Sequence, residues 1–209
     1  MGYPLPDGYS LPFNDPSVSP EEGMRIFLLW ITSYYTHGDT LETLSVREAS
    51  KEPSPTAARM SPEDVALAFH QPPTLRDGTD TLILRSGTTR GVFSRLREAA
   101  LFARQNADVA WPNVEFRYVW CDRSVWLTPW GVWSFRAETE QARKDGKRIR
   151  THSVVRMRGA NHCVCHNFHL SPYDSLKYNI KAHWDDPEKT LRLLLSDAPC
   201  DIDVARAQL

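Results

Sequence analysis

Cysteine is scarce in this chain. Four thiols in 209 residues, Cys121, Cys163, Cys165 and Cys200, are too few and too unevenly placed for a disulfide scaffold. No apolar run approaches the roughly 20 residues that a membrane-spanning helix needs. Charge of one sign is lacking too: 25 Lys and Arg stand against 26 Asp and Glu, a formal net charge of -1. That balance leaves no electrostatic footprint for nucleic acid or an anionic membrane. The opening, Met1-Gly-Tyr-Pro-Leu-Pro-Asp-Gly-Tyr-Ser10, has neither the basic start nor the apolar stretch of a secretory signal. With so few thiols it predicts a reducing compartment, cytoplasmic by default. What is present suits a folded protein. Hydrophobic residues make up 41% and aromatics 11%, which argues against disorder, and a chain of this length can bury about 70% of its unfolded surface.

Proline punctuates the first half. Five of the first twenty residues are Pro4, Pro6, Pro12, Pro16 and Pro20, so residues 1–19 predict an extended connector. Ser19-Pro-Glu-Glu22 then opens a helix with a capping serine, a proline in the first turn and an acid three residues after the cap. Its apolar series is Ile26, Phe27, Leu29, Trp30 and Ile31, and Gly38 marks its end. The same grammar returns at Ser61-Pro-Glu-Asp64, with Val65, Ala66, Ala68 and Phe69 as the inner face. A third helix over 91–104 places Val92, Leu96, Ala99 and Phe102 at helical spacing. Thr81-Leu-Ile-Leu84 suits a helix or loop better than a short strand. Residues 20–109 therefore predict a helical region.

The second half alternates. Val114, Phe116, Tyr118 and Trp120 recur with period two, a strand that Asp122 follows. A helix over 129–144 ends at Gly146, with Arg143 and Lys144 suiting its dipole. A short strand, Ser153–Arg158, runs into Gly159-Ala-Asn-His162, and Asp185-Asp-Pro-Glu188 opens a last helix carrying Leu191, Leu194 and Leu195. This β-α-β-loop-α order implies an α/β fold with a few parallel strands joined by helical crossovers. Two parallel strands do not make a stable sheet, so further strands are expected, inside the chain or outside it. An unpaired edge of such a sheet is a template for self-association.

Ligands of open parallel sheets bind beyond the carboxyl ends of the strands. Asp122 and His162 each fall there. A carboxylate held against an imidazole fixes its tautomer and stabilises the imidazolium formed when it takes a proton. The plainer alternative makes Asp122 a partner of Arg123 or a helix cap, and His162 a loop residue.

The segments Tyr118-Val-Trp-Cys-Asp-Arg-Ser-Val-Trp126, Val155-Arg-Met-Arg-Gly-Ala-Asn-His162 and His183-Trp-Asp-Asp-Pro-Glu-Lys-Thr-Leu-Arg-Leu-Leu-Leu195 resemble the C-terminal half of α/β-hydrolase fold proteins of the kind abundant in fungi. The resemblance implies that Asp122 and His162 are the acid and base of a Ser-His-Asp mechanism. It implies that residues 20–109 are the helical cap and that residues 110–209 are the C-terminal part of a partial α/β-hydrolase core. It also implies an ester-like small-molecule substrate, no cofactor and no metal.

Two departures accompany it. No Gly-x-Ser-x-Gly elbow occurs in the sequence, so the chain resembles the part of such a protein that follows the nucleophile and is expected to be inactive alone. Residues 165–182 separate two pieces that read well when joined, as an insertion from an unspliced intron would. The inserted loop raises a minor alternative, since His162-Cys-Val-Cys-His166 with His169 gathers zinc-type ligands. A non-enzymatic remnant or interaction module is the other alternative. Trp120, Trp126, Trp130 and Trp133 suit cap-to-sheet packing better than a substrate pocket. His37 either faces the site from the cap or serves a turn. The basic run over 143–150 reads as a solvated helix end.

Overall fold

The structure, a computed structural model, describes residues 2–11, 17–69, 78–102 and 115–162, together with a backbone strand at 202–206. Among these, the first half carries four α-helices and the second half one α-helix and three strands. The helices are α1 (Pro20–Thr32), α2 (Pro62–Ala68), α3 (Thr79–Thr89), α4 (Val92–Leu101) and α5 (Leu127–Lys144). The strands are β1 (Phe116–Cys121), β2 (His152–Met157) and β3 (Ile202–Arg206). The protein is thus mixed α/β. No helix of the described residues is long and apolar enough to cross a membrane.

The helix starts follow the capping grammar. Ser19 Oγ accepts the Glu22 amide at 3.3 Å, and Ser61 Oγ accepts the Asp64 amide at 3.1 Å, which satisfies donors that a first helical turn leaves open. The first helix is shorter than expected. It stops at Thr32 rather than near Gly38, with the Thr32 and Ser33 hydroxyls donating to the Leu28 and Leu29 carbonyls and Ser33 in extended backbone. Such side-chain bonds compete with helix continuation. At the other end of the fold, Gly146 adopts φ 68° and ends α5. The Lys147 amide returns to the Ala142 carbonyl and the Gly146 amide to the Arg143 carbonyl, the paired closure that needs a left-handed residue.

Residues 81–84 are helical, within α3. The inner face expected for α4 is corrected, because Leu96 is 61% exposed and Ala99 is exposed as well. The helix instead turns Leu101, Phe93 and Arg97 inward. Phe93 packs where Gly87 of α3 leaves room, since a Cβ there would stand 2.5 Å from its ring, and Arg97 reaches Glu138 on α5. Two stripes of this helix satisfy the same period, and the partner surfaces selected the one carrying the arginine. Ala66 on α2 is likewise exposed, whereas Val65 and Phe69 are partly covered.

The sheet has the order β1-β2-β3. β1 and β2 run parallel, pairing Phe116 with His152, Tyr118 with Val154 and Trp120 with Arg156. β3 corrects the expectation of parallel strands alone, since it lies antiparallel to β2, with Val155 opposite Val204. The strand after the expected last helix thus covers an edge that the β-α-β pattern would have left open. α5 packs on one face of the sheet. Phe135 meets the rings of Phe116, Tyr118 and His152 at centroid distances of 5.7, 5.4 and 5.4 Å. Gly131 lets the helix come this close, because a Cβ would stand 2.7 Å from Tyr118 Oη. This core gathers Leu101, Trp120, Val132, Phe135 and Val154.

A second core joins the first half to the turn after β1. It gathers Trp30, Tyr35, Leu44, Val125 and Trp126. Trp120 and Trp126 are buried in these two cores, and Trp130 and Trp133 are partly buried against the second. The proline-rich opening lies against α5 rather than apart from it. Tyr3 Oη donates to Glu138 at 2.6 Å, Trp130 Nε1 donates to the Pro4 carbonyl at 3.0 Å, and the Tyr9 ring lies tilted against Trp126 at 5.1 Å. The expected insertion at 165–182 and the helix from Asp185 lie outside the described residues.

Candidate functional site

The carboxyl ends of β1 and β2 deliver two short segments, residues 122–126 and 158–162, side by side. The Asp122 amide donates to the Met157 carbonyl at 3.1 Å and the Arg123 amide to the Ala160 carbonyl at 2.9 Å. These bonds extend the parallel pairing past the last strand residues and place Asp122 and His162 at the same end of the sheet.

Their side chains take different partners. Asp122 Oδ1 accepts the Gly159 amide at 2.7 Å, and Oδ2 faces Arg156 Nη2 at 3.1 Å and Nε at 3.2 Å. Gly159 sits at φ 72°, a conformation that favours glycine, so the carboxylate holds the turn that follows β2. His162 is exposed, and its Nδ1 lies 3.5 Å from Ser124 Oγ. Protein around the ring pulls its pKa below the ordinary histidine value by desolvation. No hydrogen bond joins Asp122 to His162. Neither plain alternative for Asp122, a bond to Arg123 or a helix cap, describes its contacts.

The helical region sits directly on this end. His37 Nε2 donates to the Ser124 carbonyl at 2.6 Å while its Nδ1 accepts the Ser45 amide at 3.1 Å. Asn161, fully buried, donates through Nδ2 to the Thr32 carbonyl at 2.6 Å and to Thr56 Oγ1 at 2.9 Å. Tyr34, 2% exposed, has two guanidinium groups near its ring, Arg123 at 5.1 Å and Arg59 at 5.7 Å. Its hydroxyl accepts from Arg59 at 2.9 Å, and the Tyr35 amide donates to the Arg123 carbonyl at 3.0 Å. Residues 30–60 therefore roof the place where a ligand of an open parallel sheet would lie.

Sequence reasoning singled out Asp122, His162 and His37 but passed over Ser124. The serine is 1% exposed and accepts a hydrogen bond from the Thr128 hydroxyl at 3.0 Å. Its only signal was position, in a tight turn just past a strand end and two residues from Asp122. Such burial withholds it from a substrate as a nucleophile. For the zinc alternative, Cys163, Cys165, His166 and His169 lie outside the described residues, and among the described residues no three His, Cys, Asp or Glu are grouped to hold a metal.

What these groups offer chemically is one neutral imidazole at the rim, a carboxylate already engaged, and a buried serine hydroxyl backed by a half-buried threonine. No protein-family model matches the chain, and neither a curated protein nor a solved structure matches it.

Proposed function

We propose that this chain is the cap and C-terminal β-α-β portion of an α/β-hydrolase-like acyl hydrolase that needs a nucleophile from outside these 209 residues. In that reaction His162 transfers the proton and Asp122 is the acid, the substrate is a small ester, and no cofactor takes part. A cytoplasmic location accompanies the proposal. The single observation that supports it is the placement of Asp122 and His162 at the same end of the sheet, past the carboxyl ends of two adjacent parallel strands and beneath residues 30–60. For the acid to act, its carboxylate must leave Arg156 and the Gly159 amide and take the imidazole.

The test combines transcript mapping with an assay. The expected result is a reading frame that continues upstream of Met1 into a strand, a Gly-x-Ser-x-Gly turn and a helix. The longer product should hydrolyse p-nitrophenyl acetate and lose this on His162→Ala, while the present chain alone shows no turnover above buffer. An upstream stop codon in every transcript, with no turnover, sinks the proposal. One observation favours a second reading, a non-enzymatic remnant or interaction module. Asp122 is fully used by Arg156 and Gly159, which is a structural employment complete without chemistry.

A further inference from the structure

Ser124 is the residue that faces His162. Its Oγ stands 3.5 Å from Nδ1, and Thr128, in the first turn of α5, donates its own hydroxyl proton to that Oγ at 3.0 Å. A serine hydroxyl has one proton and two lone pairs. Thr128 occupies a lone pair, so the Ser124 proton needs an acceptor. The residue is 1% exposed, and buried polar groups are hydrogen-bonded. Among the described residues the acceptor within reach is His162 Nδ1. An imidazole nitrogen that accepts is the unprotonated one, which puts the ring proton on Nε2.

We propose that Ser124, backed by Thr128, is the positioning residue of His162, holding the ring as the neutral Nε2–H tautomer that presents a hydrogen-bond donor to a ligand oxygen. The inference rests on the proposal above only in taking His162 as the working residue of the site. It adds a consequence for the mechanism. A base that takes a serine proton at Nε2 must donate Nδ1–H to its acid, which is the opposite tautomer. Ser124 therefore keeps His162 in a resting form, and the working form requires Asp122 to exchange Arg156 for the imidazole.

Histidine-selective 15N labelling tests this. His162 is assigned by the loss of its signals in His162→Gln, and its two ring-nitrogen shifts report the tautomer above the histidine titration range. The expected spectrum has an unprotonated Nδ1 and a protonated Nε2. Ser124→Ala should lower the ratio of Nε2–H to Nδ1–H by about twofold, because a 3.5 Å contact is at the long end of hydrogen-bond distance, and Ser124→Thr should restore it. A wild-type ring protonated on Nδ1, or a ratio unmoved in folded Ser124→Ala, overturns the assignment. If Ser124→Ala does not fold, Thr128→Val serves instead. Without its donor, Ser124 can accept from Nδ1–H and the ratio falls, whereas an unmoved ratio again overturns the assignment. Ring-nitrogen shifts need no turnover, so a failed ester assay and a failed tautomer assignment are distinguishable.

Discussion

His37 and Ser124, 87 residues apart, are joined by a 2.6 Å hydrogen bond from the imidazole Nε2 to the backbone carbonyl. A carbonyl only accepts, so Nε2 carries the proton, and Nδ1 is left to accept the Ser45 amide at 3.1 Å. The ring is thus neutral and fixed in one tautomer, stacked 5.9 Å from Tyr35. It ties the helical region to the turn after β1.

That tie should make stability depend on pH. Burial pulls the His37 pKa below its usual value, against opposing contributions from the Ser124 carbonyl and the Asp122 charge. The unfolded chain then takes its proton first, near pH 6.5. Stability is complete above that pH and is lost as pH falls through the folded value. Desolvation by the protein beside it shifts the His162 pKa in the same direction. Urea midpoints measured from pH 7.5 to pH 5 should fall, and His37→Gln should flatten the slope. A wild-type midpoint constant across that range would contradict it.

Asn161 closes the opposite end of the junction. The Thr32 carbonyl is one of those that the end of α1 leaves without an intrahelical partner, and Asn161 Nδ2 supplies its donor. Asn161→Ala should cost about 2 kcal/mol, because the carbonyl stays buried and unpaired. Asn161→Asp should cost more, about 3 kcal/mol, by setting a buried carboxylate against two oxygens. Urea unfolding of both variants checks the order, and equal losses would remove the donor role.

Arg97 and Glu138 form the most buried ion pair among the described residues. They stand 2.9 Å apart, with side chains 9% and 21% exposed, and Arg97 lies 4.1 Å from the Tyr3 ring. Burial, together with the hydrogen bond to Glu138, pushes the Tyr3 phenol well above its usual pKa. Glu138→Ala leaves a guanidinium buried without its carboxylate and should cost about 2–4 kcal/mol. Glu138→Gln keeps an acceptor for Tyr3 and should cost about half as much. Chemical denaturation distinguishes the two, and a loss under about 0.5 kcal/mol for the alanine variant would show the pair to be idle.

Double-mutant cycles read the site's wiring. Asp122 and Arg156 should show a coupling of about 0.5–1 kcal/mol, since they are in direct contact at 3.1 Å. Asp122 and His162 should be additive within about 0.3 kcal/mol. A coupling above about 1 kcal/mol between Asp122 and His162 would mean that the acid and base already pair in the resting protein.

Local chemistry made much of the fold legible. Ser19 and Ser61 announced their helices because a side-chain cap is decided within four residues. The alternation of Phe116, Tyr118 and Trp120 announced β1, and the pair Arg143-Lys144 before Gly146 announced the end of α5. The face of α4 was not legible. Leu96 and Ala99 have the period of a buried stripe, yet Arg97 points inward to distant partners, Glu138, 41 residues away, and the Tyr3 ring. β3 was hidden for a similar reason, since five residues carry too little periodicity to be assigned before the edge of β2 is known to receive them.

At the candidate site the sequence by itself determined that a carboxylate and an imidazole follow consecutive strands, so a parallel pairing had to bring both to one end. Which atoms meet there was decided by the tertiary structure alone. Asp122 turns to Gly159 because a left-handed glycine after β2 offers it an amide, and to Arg156 because the register places that side chain beside it. His162 is left to Ser124, and His37 arrives from a loop 87 residues away. Helix caps and strand periodicity follow from chemistry within a few residues, whereas strand order and a side chain's partner depend on long-range contacts that only the packed chain defines.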